Sequence, residues 1–194
     1  MESVYVFDEA TRPKDNGQAG TSYSANVYVL GLDGSVNGPY KGSSYPNSIS
    51  TTNNNTTWKT INEGEHLYNN ASGHKIGTKQ GLNIINQNGE RIAPGTLPDG
   101  SATTMTVVNV HKGTSDLGLP KSRGSQGCIT IMPSDASSFF SNFDWSGPTG
   151  TTGNSSGVVT IYRGSSGQSE FAQSQLDVLK LIKEMLDQQH KKEN

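Results

Sequence analysis

The sequence predicts a mainly β fold, on three observations. Only 30% of the 194 residues are hydrophobic and 23 are glycine, a composition suited to short strands joined by turns rather than to a helical bundle. Val4–Phe7, Asn26–Leu30 and Val158–Tyr162 are apolar stretches of strand character, which argues against disorder. Asp33-Gly34 sits between two such regions and suits a hairpin turn.

The remaining elements follow in chain order. Residues 1 to about 60 alternate short apolar runs with turn-rich pieces, and Asn53–Thr57 reads as an exposed polar loop tip. Thr104–His111 alternates as one strand that delivers His111 to its end. A second strand, Cys128–Ile131, starts at the cysteine, and a Gly/Ser/Pro-rich loop joins the two. After Pro133, Ser134 is placed to cap a short helix across Asp135–Phe140. Val158–Tyr162 then closes the domain.

Past Gly164 the character changes. Residues 165–194 read as a linker and a C-terminal amphipathic helix, with Phe171, Val178, Leu179, Ile182, Met185 and Leu186 at helical spacing. That stripe packs on its own domain or meets a protein partner, such as an inhibitor or immunity protein. The chain therefore divides into one domain over 1–164 and this tail.

Charge and hydropathy exclude several classes. Fifteen basic against 17 acidic residues give a net charge of −2, which disfavours nucleic-acid binding through phosphates. No segment approaches the roughly 18 apolar residues of a membrane span. The N-terminus lacks the charged-then-apolar pattern of a signal peptide. A substrate outside the cytoplasm would therefore imply an excised piece or export without a cleavable signal.

One cysteine rules out an internal disulfide and a multi-cysteine metal site. No phosphate-cradling loop, carboxylate pair or metal cluster is legible, so no cofactor and no metal are expected. Cys128 is then either packing or chemistry.

The chemistry-bearing segment runs from His111 to Thr130: a strand-end histidine, a turn-rich loop, then Ser125-Gln126-Gly127-Cys128 opening the next strand. An ordinary thiol is only a few per cent thiolate at neutral pH and needs a base or cation beside it. His111 is the residue placed to be that base. A carbonyl near Lys112 or Gly113 can orient its second ring nitrogen, with Asp116 as the lesser alternative. The amides of Gly127 and Cys128 are candidates for an oxyanion hole, and Ser125 fits a turn-holding role. His66 and His74 precede the segment and are candidate cleft-lining residues.

This pattern, His, a loop of a little over a dozen residues, then Ser/Thr-x-Gly-Cys, resembles the L,D-transpeptidase (YkuD-type) catalytic domain. Thr60–Tyr68 also looks like that family's Thr-x-x-Gly-x-Tyr/Phe segment, so Tyr68 joins Gln126, His74 and His66 as expected substrate contacts. The resemblance extends over about residues 55–163. It implies a β-sandwich with the cysteine in a cleft, acting on peptidoglycan stem peptides as a transpeptidase or carboxypeptidase in the bacterial periplasm or cell wall. Two positions depart from the family: Gln126 stands where His is common, and Thr130 where Asn or Arg is common. They leave acceptor and reaction outcome open.

The same chemistry would serve a housekeeping enzyme or the toxin module of a secreted antibacterial effector delivered by a secretion system. Papain-like enzymes place Cys before His, and the segment that sortases need is missing. The alternative of a different class is a non-catalytic β-sandwich module for cell-surface binding, in which Cys128 is inert.

Overall fold

The structure, a computed structural model, describes residues 2–11, 22–47, 58–116 and 123–164. The expected loop tip at Asn53–Thr57 and the linker and amphipathic helix of 165–194 lie outside the described residues.

The mainly β class holds, with a closed barrel in place of the expected sandwich. Its strands are β1 (Glu2–Asp8), β2 (Ala25–Leu30), β3 (Val36–Ser43), β5 (Gly64–Asn69), β6 (Gly81–Ile85), β9 (Asn109–Lys112), β10 (Ile129–Ile131) and β11 (Ser156–Arg163). Around the barrel they run β1-β11-β5-β6-β9-β10-β3-β2. β4 (Thr60–Ile61), β7 (Ile92–Thr96) and β8 (Ala102–Thr106) form a separate three-stranded sheet.

Closure is the physical reason the sandwich fails. β11 lies parallel to β1, from Glu2↔Gly157 to Asp8↔Arg163, and antiparallel to β5 on its other side. Both edges that a sandwich would expose are thus hydrogen-bonded. Alternation supplies one inward face: Val4 and Val6, Val27 and Val29, Leu82 and Ile84, Val110, Ile129, Ile131, Val159 and Ile161 are all buried there. The expected Asp33-Gly34 turn joins β2 to β3, with Gly34 at φ 77° and its amide on the Gly31 carbonyl at 3.0 Å.

The run Thr104–His111, expected as one strand, is two. The break is Val107, a β-branched residue at φ 59° whose amide donates to the Arg91 carbonyl at 2.9 Å. The chain turns there from the small sheet into the barrel. Alternating side chains alone do not reveal such a turn.

The short helix α1 (Pro133–Phe140) buries Ala136, Phe139 and Phe140. Its N-cap is Met132, with Pro133 opening the first turn. Ser134 is therefore inside the helix, and its amide donates to Asp116 Oδ1 at 3.1 Å. Asp116 thus serves the helix start and does not orient His111. No helix among the described residues is long and apolar enough to cross a membrane.

Candidate active site

β9 and β10 run parallel at the heart of the site, with Ile129 opposite Val110 and Thr130 opposite His111. Val110 and Ile129 point into the core. By the period of two, Asn109, His111, Thr130 and Cys128 share the other face. Cys128 sits just ahead of β10, and continuing the register places it beside Asn109, diagonal to His111 on that face.

His111 Nδ1–H donates to the Lys112 carbonyl at 2.8 Å. That leaves the lone pair on Nε2. Gly113, the other residue considered for this job, donates its amide to the Ile131 carbonyl at 2.8 Å. It must lack a side chain, because a Cβ there would stand 2.0 Å from the Tyr23 hydroxyl.

The cysteine turn is held by Ser125. Its buried hydroxyl accepts the Gly127 amide at 3.0 Å and donates to the Cys128 carbonyl at 2.7 Å. Gly127 takes φ 142°, and a Cβ there would meet Met105 Cε at 2.5 Å and the Lys59 carbonyl at 2.9 Å. The small sheet therefore packs directly on the turn. The Gly127 amide is engaged with Ser125, so of the two expected oxyanion donors only Cys128 is left. Gln126 is exposed on the same turn.

Half-buried Cys128 has neighbours that sequence reasoning missed. Asn109 Nδ2 donates to its sulfur at 3.9 Å, and the thiol faces the Val107 carbonyl at 3.9 Å. Asn109 is itself fixed: its Oδ1 accepts from Arg91 Nη2 and from Asn83 Nδ2, each at 2.7 Å, and its Nδ2 also donates to the Val107 carbonyl at 2.9 Å. Asn109 could have been found, since it stands two residues before His111 on the same strand face. Arg91 carries no comparable signal.

Burial pushes the Cys128 thiol above its ordinary value, against the lowering effects of the Asn109 donors and the Arg91 charge. Burial likewise lowers His111, opposed by its bond to Lys112 and reinforced by Lys75 and Lys79. The resting pair is therefore neutral thiol and neutral imidazole.

The other expected contacts divide. His74 stacks on His111, ring centroids 4.1 Å apart and planes 4° from parallel. Gly81, which faces His111 across the β6–β9 pair, makes room for this, because a Cβ there would lie 2.7 Å from His74 Cβ. Burial first, then His111, Lys75, Lys79 and Arg91, hold His74 down at about 4. His66 and Tyr68, also expected as contacts, both lie on the inward face of β5, His66 Nε2 bonding the Asn62 carbonyl at 2.9 Å and Tyr68 donating to the Glu2 carbonyl at 2.9 Å. They are core residues, because the alternation that buries Tyr68 carries His66 inward too.

Beyond His111 opens a cavity of about 590 Å³ that Cys128 does not line. A hairpin bridged at His74 and Lys79 forms one wall and α1 another. Among the described residues no group of three or more His, Cys, Asp and Glu is arranged to hold a metal ion. The chain matches no protein-family model, no curated protein and no solved structure.

Proposed function

We propose that this protein is a cysteine acyltransferase acting on peptide stems of the peptidoglycan type, with Cys128 as nucleophile and His111 as base. The observation that carries the reading is the His111 tautomer: Nδ1–H is held on Lys112, leaving Nε2 as acceptor on the face that β9 and β10 share with Cys128.

Because the resting pair is neutral, the thiol proton passes to Nε2 as sulfur attacks the carbonyl of the third stem residue. The S–C bond forms, the C–N bond to the terminal D-residue breaks, and His111 returns the proton to the leaving amine. An acceptor amine then resolves the thioester into a cross-link or exchange product, or water resolves it into a carboxylic acid. The Cys128 amide is the remaining oxyanion donor. Val107, strained beside the sulfur, belongs to the class of backbone outliers that gather at reactive sites. A role as the toxin module of an antibacterial effector stands or falls with the same chemistry.

The test is product analysis by mass spectrometry of defined tetrapeptide stems incubated with wild type and Cys128→Ala. Loss of the terminal D-residue in wild type only supports the proposal; identical, untouched stems in both sink it.

The second reading, a non-catalytic binding module with an inert cysteine, has one observation in its favour, the upward shift of the thiol. It predicts alkylation that rises only at alkaline pH and is indifferent to His111→Gln, with ligand binding intact in Cys128→Ala.

A further inference from the structure

We infer that the cavity beside His111 is a carboxylate subsite that receives the free C-terminal carboxylate of the donor peptide. The inference rests on the acyl-transfer reading and adds where the leaving residue sits.

Three lysines, Lys75, Lys79 and Lys112, line this cavity, and no acidic residue does among those described. The chain as a whole has more acidic than basic residues, so this is a local inversion of charge. The cavity volume of about 590 Å³ falls in the range of small-molecule sites. Lys75 and Lys79 reach it from a tightly constrained hairpin: Lys75 and Ile76 take φ 50° and 55°, and the His74 and Lys79 backbones bond each other at 2.8 and 3.2 Å. A β-branched residue in that conformation is costly, and the constrained backbone places both lysines on one rim. Pro133, Ala136 and Phe140 supply an apolar surface opposite, fit for a small aliphatic side chain.

The position of His111 names the ligand. Its ring lines this cavity, whereas Cys128, which continues the register beside Asn109, does not. In the proposed reaction His111 protonates the leaving amine, whose α-carboxylate lies only two bonds further on. An amine at Nε2 therefore has its carboxylate directed toward the lysines. A carboxylate bound there also offsets the positive field of Lys75 and Lys79, which together with burial holds His111 down. The base thus strengthens when the substrate is seated.

The test uses the full chain carrying Cys128→Ala, titrated with a tetrapeptide stem ending in a free carboxylate and with its C-terminal amide. The ring NMR signals of His111 and His74 report binding. Roughly tenfold tighter binding of the carboxylate form is expected, with a loss of about two- to fivefold per lysine charge removed, so that Lys75→Gln/Lys79→Gln nearly abolishes the preference. Equal affinity, a preference that survives the double variant, or no binding of either peptide overturns the subsite. So does inorganic phosphate that displaces the stem more tightly than a second carboxylate peptide does. Turnover of both peptides by wild type separates the two proposals. Cys128-dependent turnover without carboxylate preference removes the subsite and leaves the chemistry, whereas preference without turnover does the reverse.

Discussion

Ser125→Ala removes the single hydroxyl that closes the cysteine turn. Its two bonds are 3.0 Å from the buried Gly127 amide and 2.7 Å to the partly buried Cys128 carbonyl. Leaving such groups unmatched costs about 1–3 kcal/mol each, least where water reaches the carbonyl. Some relaxation is available to an exposed Gln126, so a total near 3 kcal/mol is expected, which lowers Tm by roughly 6–12 °C in a domain of this size. The second readout moves the other way. With the turn loosened, Cys128 loses the burial that pushes its thiol up, so iodoacetamide alkylation near neutral pH accelerates while the proposed acyl transfer slows. Thermal unfolding, alkylation rate and turnover on the same sample measure all three. A variant that melts within about 2 °C of wild type and alkylates at the same rate refutes the role assigned to Ser125.

Three further outcomes follow from the site. The folded protein rejects a proton at His74, held at about 4 against an ordinary 6.5, while the unfolded chain accepts it. The stability this confers is complete above pH 6.5 and is lost as the pH falls towards 4. Screening of the half-exposed ring reduces it to about 1–2 kcal/mol, and denaturant titrations from pH 4 to 8 should show the slope flattened in His74→Phe. Gly127→Ala brings a methyl group against the Lys59 carbonyl at 2.9 Å in a backbone conformation side chains avoid, and should cost about 2–4 kcal/mol in urea unfolding. Asn109→Leu removes a donor to the sulfur and the acceptor of Arg91 and Asn83, so the thiol rises further and alkylation at neutral pH slows severalfold, with about 2–4 kcal/mol lost in stability.

The parts of this fold that declare themselves in the sequence are those decided locally. Val4–Phe7 and Asn26–Leu30 alternate along one strand, and the alternation survives whatever the strand pairs with. Asp33-Gly34 needs only four residues to turn. Barrel closure depends on β1 meeting β11 in parallel register, a pairing between distant segments to which neither contributes a distinctive pattern. Val107 is hidden for a related reason: Thr-Met-Thr-Val-Val-Asn-Val-His reads as unbroken strand, and only the competition between two sheets bends it. The site divides likewise. His111, Ser125 and Cys128 are legible through their order and spacing, and the oriented imidazole needs only the adjacent carbonyl. The Arg91–Asn109 support and the stacking of His74 come from elements brought together by the barrel. The inward placement of His66 and Tyr68 is not legible, because polar and aromatic side chains in a strand give no sign of which face is inward.

The claim on which the rest depends is that Cys128 carries an acyl group during turnover. Intact-protein mass spectrometry of wild type, His111→Gln and Cys128→Ala, quenched in acid after brief exposure to a tetrapeptide stem, addresses it directly. The predicted adduct is a mass increase equal to the stem minus its terminal D-amino acid as the free molecule, localised to Cys128 in wild type, accumulating far more slowly without His111 and absent without the thiol. Turnover without any adduct, or an adduct that persists in Cys128→Ala, would contradict it.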